Sequence, residues 1–235
     1  MKIYASDMRA AGRADLSGRW GESAMLTFVY VILVTIFNGA VGNAFDLWYM
    51  GMGSLMTVLM FPMAWGFGMT FLENHRHTDG DPFDLGHLFD GYRDFTRIFL
   101  TLFLLMIIVG IGLVLFIVPG IYFALAFAMA PYLMRDEPEL KYQAALLKSK
   151  DMMVGHKWEL FCLLLSFIGW LILALLTLGI GFFWLIPYAN AAVVNFYEEV
   201  KRDYEEGRVY EHISTESPAE EPKSEYERSR GEYNK

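Results

Sequence analysis

The chain has 235 residues, 55% of them hydrophobic, and its 19 Lys and Arg against 27 Asp and Glu give a formal net charge of −8. The apolar share exceeds that of ordinary soluble domains, and the charges are packed into a few segments, which a soluble core does not require. There is no basic stripe for nucleic acid, and Cys162, a lone cysteine, has no partner in the chain for a disulfide.

Residues 1–23 are polar and are expected to form a short interfacial helix capped by Ser6 or Asp7. Three long apolar blocks follow, residues 24–72 (interrupted only by Asp46), 98–134 and 160–197. One crossing of a bilayer needs about 20 residues, so each block is long enough for two. The first block reads as helices over 24–44 and 52–72. Between them Asp46, Trp48 and Tyr49 form an outer turn at headgroup level. A polar lead of 23 residues, with a second apolar segment close behind the first, argues against a cleaved signal peptide. Pro62 falls inside the second helix, where the carbonyl it frees must find another partner.

A polar loop leads to Asp81-Pro82, which has the form of a helix start. Leu85, Leu88, Phe89, Tyr92 and Phe95 then fall at helical spacing, as on a helix lying along the inner surface. The second block reads as helices over 98–118 and 120–134, broken at Pro119-Gly120. The fourth helix is short for a full crossing. Gly120, Ala124 and Ala128 recur every four residues and allow a neighbouring helix to come close. Residues 138–154 form a second surface helix of moderate amphipathicity. The third block gives helices over 158–178 and 180–197, joined by Gly179-Ile180-Gly181. From residue 201 the chain is charged, rich in Ser, Pro and Glu, and lacks periodicity, so it reads as disordered.

The expected fold is therefore all-α: a polytopic transmembrane helical bundle of about six spans in three hairpins, with amphipathic surface helices between them. Its parts are a cytoplasmic N-terminal segment (1–23), a six-helix membrane domain (24–200) and a disordered cytoplasmic tail (201–235). Four Lys and Arg lie in residues 1–23, three in 73–97, five in 135–159 and seven from 198 onward. All 19 thus fall on one face of the hairpin arrangement, and basic flanks mark the cytoplasmic side. Both termini are expected in the cytoplasm, with the protein multi-pass in the inner membrane. The hairpins also form a weak repeat. Pro62 and Pro187 each precede a glutamate, Glu73 and Glu198, by eleven residues.

Candidate chemistry is sparse. His75, His77, Asp79, Asp81 and His87 are metal-ligand types crowded into one loop, but their spacing matches no standard site, and a solvated loop is the favoured reading. His156 beside Lys157 and Trp158 could titrate near neutrality, but with Trp20 and Trp48 these residues fit interface anchors. Asn38, Asn43, Asn190 and Asn195 are intramembrane polar groups that more often tie helices together than line a path. Pro62, Pro119, Gly120, Pro131 and Pro187 are the helix breaks. Ionisable groups are absent from the apolar blocks apart from Asp46, which disfavours an ion-coupled carrier. Ser166 has no nearby His or Asp in sequence, and there is no phosphate-binding loop, so neither an enzyme nor a nucleotide or other cofactor is expected.

Several motifs resemble one family. Gly18-Arg19-Trp20-Gly21, Pro119-Gly120-Ile121, Ala130-Pro131-Tyr132, Gly155-His156-Lys157-Trp158, Ser166-Phe167-Ile168-Gly169-Trp170, Gly179-Ile180-Gly181, Pro187-Tyr188 and Phe196-Tyr197-Glu198 are similar to motifs of a bacterial integral-membrane family, catalogued as domain of unknown function 975. The resemblance covers roughly residues 10 to 200. It implies a polytopic bacterial membrane protein and no particular activity. The leading expectation for function is a non-catalytic membrane protein acting through membrane lipids, a protein partner or its own copies. The alternatives are a carrier or exporter of a small apolar or peptide-like solute and, more remotely, a metal-dependent membrane enzyme using the His75–His87 loop.

Overall fold

The computed structural model describes residues 2–37, 39, 57–77 and 83–216. It is all-helical among these residues. The chain divides into a compact unit, Met1–Val200, and a second unit from Lys201 onward.

The N-terminal helix α1 (Ala5–Asp15) begins at Tyr4 with no side-chain cap, and Ser6 instead donates to Asp7, so neither expected residue caps it. Next come α2 (Trp20–Phe37) and α3 (Phe61–Arg76), the latter preceded by a 3₁₀ turn at Thr57–Met60. Pro62 sits at the start of α3 rather than inside a helix, where its missing N–H would have had no helical partner anyway. A second 3₁₀ segment, Leu85–Tyr92, leads into α4 (Phe95–Leu115). Then follow α5 (Ile117–Ala126), α6 (Ala130–Asp136), α7 (Tyr142–Met152), α8 (Lys157–Leu165), α9 (Ile168–Leu176) and α10 (Phe182–Glu216).

Four helical stretches are long and apolar enough to cross a membrane: Trp20–Phe37, Phe95–Leu115, Ile117–Asp136 and Lys157–Leu176. In α2 and α4 only 17% of the span is buried, whereas nine of the 16 residues of α3 are. The reason is position. A helix facing lipid must be apolar all round, while one surrounded by protein can carry polar groups that neighbours satisfy. α3 and α10 are the less apolar, interior helices of the expected six. The α10 residues Tyr188, Ala191, Ala192, Val194, Phe196, Tyr197 and Val200 are all buried.

The helix boundaries correct several expectations. The break in the second block falls at Phe116, whose extended backbone (φ −156°, ψ 138°) separates α4 from α5, and Pro119-Gly120 lies within the first turn of α5. Proline is tolerated there because first-turn N–H groups lack helical acceptors. Gly120 instead packs the hairpin: a Cβ on Gly112 would stand 2.9 Å from the Gly120 Cα. The fourth span is longer than its expected 120–134, reaching from Ile117 to Asp136 with a break before Pro131. The last hairpin closes in the same manner, with a Cβ on Gly181 falling 2.7 Å from the Ala174 Cα. Its turn holds Leu178 (φ 54°) and Gly179 (φ 91°) in left-handed backbone. Pro187 does lie within a helix, and α10 continues through it.

The first surface helix is also different. Leu85–Tyr92 is 3₁₀, capped by Asp84, whose Oδ1 accepts from the Gly86 N–H at 2.7 Å. With three residues per turn the apolar stripe scatters. Leu88 is buried, while Leu85, Phe89 and Tyr92 are exposed. Glycines let the segment lie against α3: Gly91 meets the Pro62 carbonyl, and Gly66 meets the carbonyls of His87 and Leu88, so closely that neither has room for a Cβ. The tail expected to be disordered from residue 201 is helical as far as Glu216. Glu198 and Arg202, Lys201 and Glu205, and Arg202 and Glu206 stand at i,i+4, a spacing that supports a helix even without an apolar stripe.

Candidate functional site

The ends of the interior helices bring their polar residues into one layer. At the end of α3, Arg76 forks onto Asp136 at the end of α6, with nitrogen–oxygen distances of 2.7 and 2.9 Å, and onto Glu198 of α10 at 2.8 Å. The Tyr197 hydroxyl donates to Asp136 at 2.6 Å, and its ring stacks on Tyr132 at 5.0 Å. Asp136, held first by that hydrogen bonding, keeps the Arg76 guanidinium charged well beyond its ordinary range. Arg135 turns the other way, to Glu73 at 2.7 Å and Asp90 at 3.2 Å. Burial works against the Asp90 carboxylate, but the hydrogen bond from His87, with the charges of His87, Arg135 and Arg93, holds its pKa below the usual carboxylate value.

Asp15, at the end of α1, joins the layer from another side. Its Oδ2 accepts from Asn195 at 2.5 Å and pairs with His75 Nδ1 at 2.9 Å. The hydrogen bond to Asp15 raises the His75 pKa, with the charges of Asp15 and Glu198 acting the same way and burial and Arg76 opposing. α1 reaches this position because Gly12 packs on the backbone of α10, where a Cβ would stand 2.8 Å from the Ala192 nitrogen. Beside the layer lies an open cavity of about 700 Å³, lined by Arg19, Thr70, Glu73, Asn74, His77 and His87 among others. Arg19 spans it, donating to Asn74 and to Glu22 and lying over the Phe83 ring at 4.8 Å.

The histidines expected as metal candidates do not converge. His75 pairs with Asp15, His77 approaches Glu73 at 3.5 Å, and His87 pairs with Asp90 at 2.7 Å. No group of three His, Cys, Asp or Glu suited to a metal occurs among the described residues. Asp79 and Asp81 lie outside the described residues, as do Asn38, Asn43 and Trp48. Asn190 donates to the Ile186 carbonyl of its own helix at 2.9 Å, and Asn195, 8% exposed, adds a bond to the Ala191 carbonyl to the one with Asp15. His156 is buried against Glu159 at 2.7 Å, and the other Glu159 oxygen receives the Ile3 N–H. Lys157 donates to the Met153 carbonyl, Trp20 meets Tyr188 edge to face, and Trp158 is exposed.

Sequence reasoning missed Asp15, Arg76 and Asp136 and met Tyr197 only within the motif Phe196-Tyr197-Glu198, with no role assigned. For the first three, only their position at the rims of apolar blocks could have pointed to them.

No curated protein and no solved structure matches the chain. A family match begins at Tyr92 and ends at Asp203, so it takes in α4 through the first part of α10 and leaves the motif at Gly18-Arg19-Trp20-Gly21 outside. Residues 92–203, which supply Arg135, Asp136, Asn195, Tyr197 and Glu198 to the layer, match the family described as Protein of unknown function (DUF975).

Proposed function

We propose that this chain is a non-catalytic protein of the bacterial cytoplasmic membrane, with both termini on the cytoplasmic face, acting through association with lipid or protein. The observation that carries this reading is the commitment of Asn195. A carrier would present such a group to a wet path, yet its amide is closed off between Asp15 and the Ala191 carbonyl. Carboxylates and guanidinium groups of the layer are likewise spent on one another, as in a helix-tying network. What remains for interaction is surface: the spans expose large apolar side chains, and the basic segments offer a face for anionic headgroups.

The test is mild extraction of the full chain from its native membrane, followed by mass spectrometry of everything retained. A stoichiometric lipid or protein is the expected result. Solute flux across vesicles reconstituted with the chain, with nothing retained, would replace this reading with the carrier.

A further inference from the structure

A second cavity, of about 330 Å³, opens on the flank of the bundle between α2, α9 and α10. Trp20, Trp170, Trp184, Leu173 and Tyr188 form its walls, and Arg13 is the charged residue that lines it. The volume is at the small end of ligand sites. It suits one chain of an amphiphile and is too small in volume to seat a helix, which is about 10 Å across.

Apart from the hydroxyl of Tyr188, which can also accept, the uncommitted side-chain polar groups of this groove are donors. Arg13 and the indole N–H groups of Trp20, Trp170 and Trp184 have no hydrogen-bond or ion-pair partner among the described residues. Thr177 is already satisfied, since its hydroxyl donates to the Ala174 carbonyl at 2.8 Å and accepts from the Gly181 N–H at 2.9 Å. An occupant that complements this lining has an anionic, acceptor-rich head and an apolar tail. The location agrees. Gly12 abuts Ala192, six residues before Glu198, which is about 9 Å of helix rise. Arg13, an exposed residue of α1 two positions from Asp15, thus stands at the border between the polar layer and the apolar part of α10, the level at which a lipid phosphate lies. Trp170 and Trp184 are about half exposed, so the groove opens sideways, where lipid chains are.

We propose that this groove binds one anionic membrane lipid, its phosphate on Arg13 and one acyl chain along the indoles. The proposal rests on the association reading above and names the partner and its seat. A guanidinium pairs with phosphate in two parallel hydrogen bonds, and a zwitterionic lipid would bring an ammonium that weakens the attraction.

The experiment is native mass spectrometry of the delipidated full chain titrated with phosphatidylglycerol or phosphatidylcholine. The wild type should prefer phosphatidylglycerol by about fivefold, the scale of one basic side chain against an anionic lipid surface. Arg13→Gln should abolish the preference while some binding of both lipids persists. Leu173→Trp, which fills the groove, should reduce binding of both. Arg93→Gln, which removes an exposed charge elsewhere (85% exposed), should change neither. Loss of preference in Arg93→Gln equal to that in Arg13→Gln overturns the proposal, since general charge attraction then accounts for it. Equal binding of the two lipids by the wild type also overturns it. In that event a stoichiometric protein retained from native membranes leaves the association reading standing, and the absence of both lipid and protein removes that too.

Discussion

The hydroxyl of Ser149 serves two backbone groups at once. Between α5 and α6 the helical ladder fails, and Ser149, on the surface helix α7, accepts from the Met129 N–H at 3.1 Å and donates to the Ala126 carbonyl at 3.0 Å. Trp65 of α3 supports the same break, its indole donating to the Pro131 carbonyl at 2.8 Å. Ser149 is fully buried, so Ser149→Ala leaves Met129 without an acceptor and should destabilise the protein by about 1–3 kcal/mol. A lowered melting temperature in detergent checks this. His75 gives a pH dependence. Its folded pKa is raised above the ordinary 6.5, chiefly by the hydrogen bond to Asp15, and it also faces Glu198 and Arg76. The stabilisation is therefore complete below about pH 6.5 and is lost as pH rises through the folded pKa. Melting curves from pH 5.5 to 8.5 should show wild type losing its advantage over His75→Gln at the alkaline end. A difference that grows with pH would contradict the assignment. The sequence marked His75 only as a metal candidate and gave the Ser149 hydroxyl no role of its own, because both roles depend on what lies across from them.

At the scale of elements, glycine decides how closely segments approach. Leu85–Tyr92 packs on α3 through Gly66 and Gly91, and both face carbonyl groups that cannot move aside as a flexible side chain would. Gly91→Ala should therefore cost about 1–3 kcal/mol by overpacking, and Gly68→Ala, with open space around its Cβ position, should cost less. The two melting temperatures, measured side by side, test the contrast. The apolar blocks pointed to the helical regions, because continuous hydrophobicity is a local signal, but α3 begins at Phe61 rather than 52, the expected helix over 158–178 is divided into α8 and α9, and α10 runs on to Glu216. Their breaks were less legible. Pro119-Gly120 is a strong breaker on paper, yet the chain turns at Phe116 so that Gly112 and Gly120 can pack together, a contact no local rule contains.

At the scale of the molecule, the helices sort by environment. α2, α4 and much of the later spans present apolar surface outward, while α3 and α10 hold the centre and carry the polar layer at their ends. The proposed orientation puts that layer on the cytoplasmic side and the turn at Leu178 outside. In a Cys162→Ser background, Leu178→Cys should react with an impermeant thiol reagent added to intact cells, since Leu178 is 95% exposed. Arg93→Cys should react only after permeabilisation. The reverse pattern would invert the topology.

The sequence by itself determined the all-helical fold and the long apolar helices able to cross a membrane. Those properties follow from the cost of exposing backbone and charge to hydrocarbon, which acts on each segment separately. Tertiary structure alone decided that α1 packs beside α10, that the histidines pair with separate carboxylates rather than with one another, and that Arg13 lines an aromatic groove. Each of these joins residues far apart in the chain, as Asp15 is joined to Asn195, and such meetings are fixed by close packing among helices rather than by any residue's own preference.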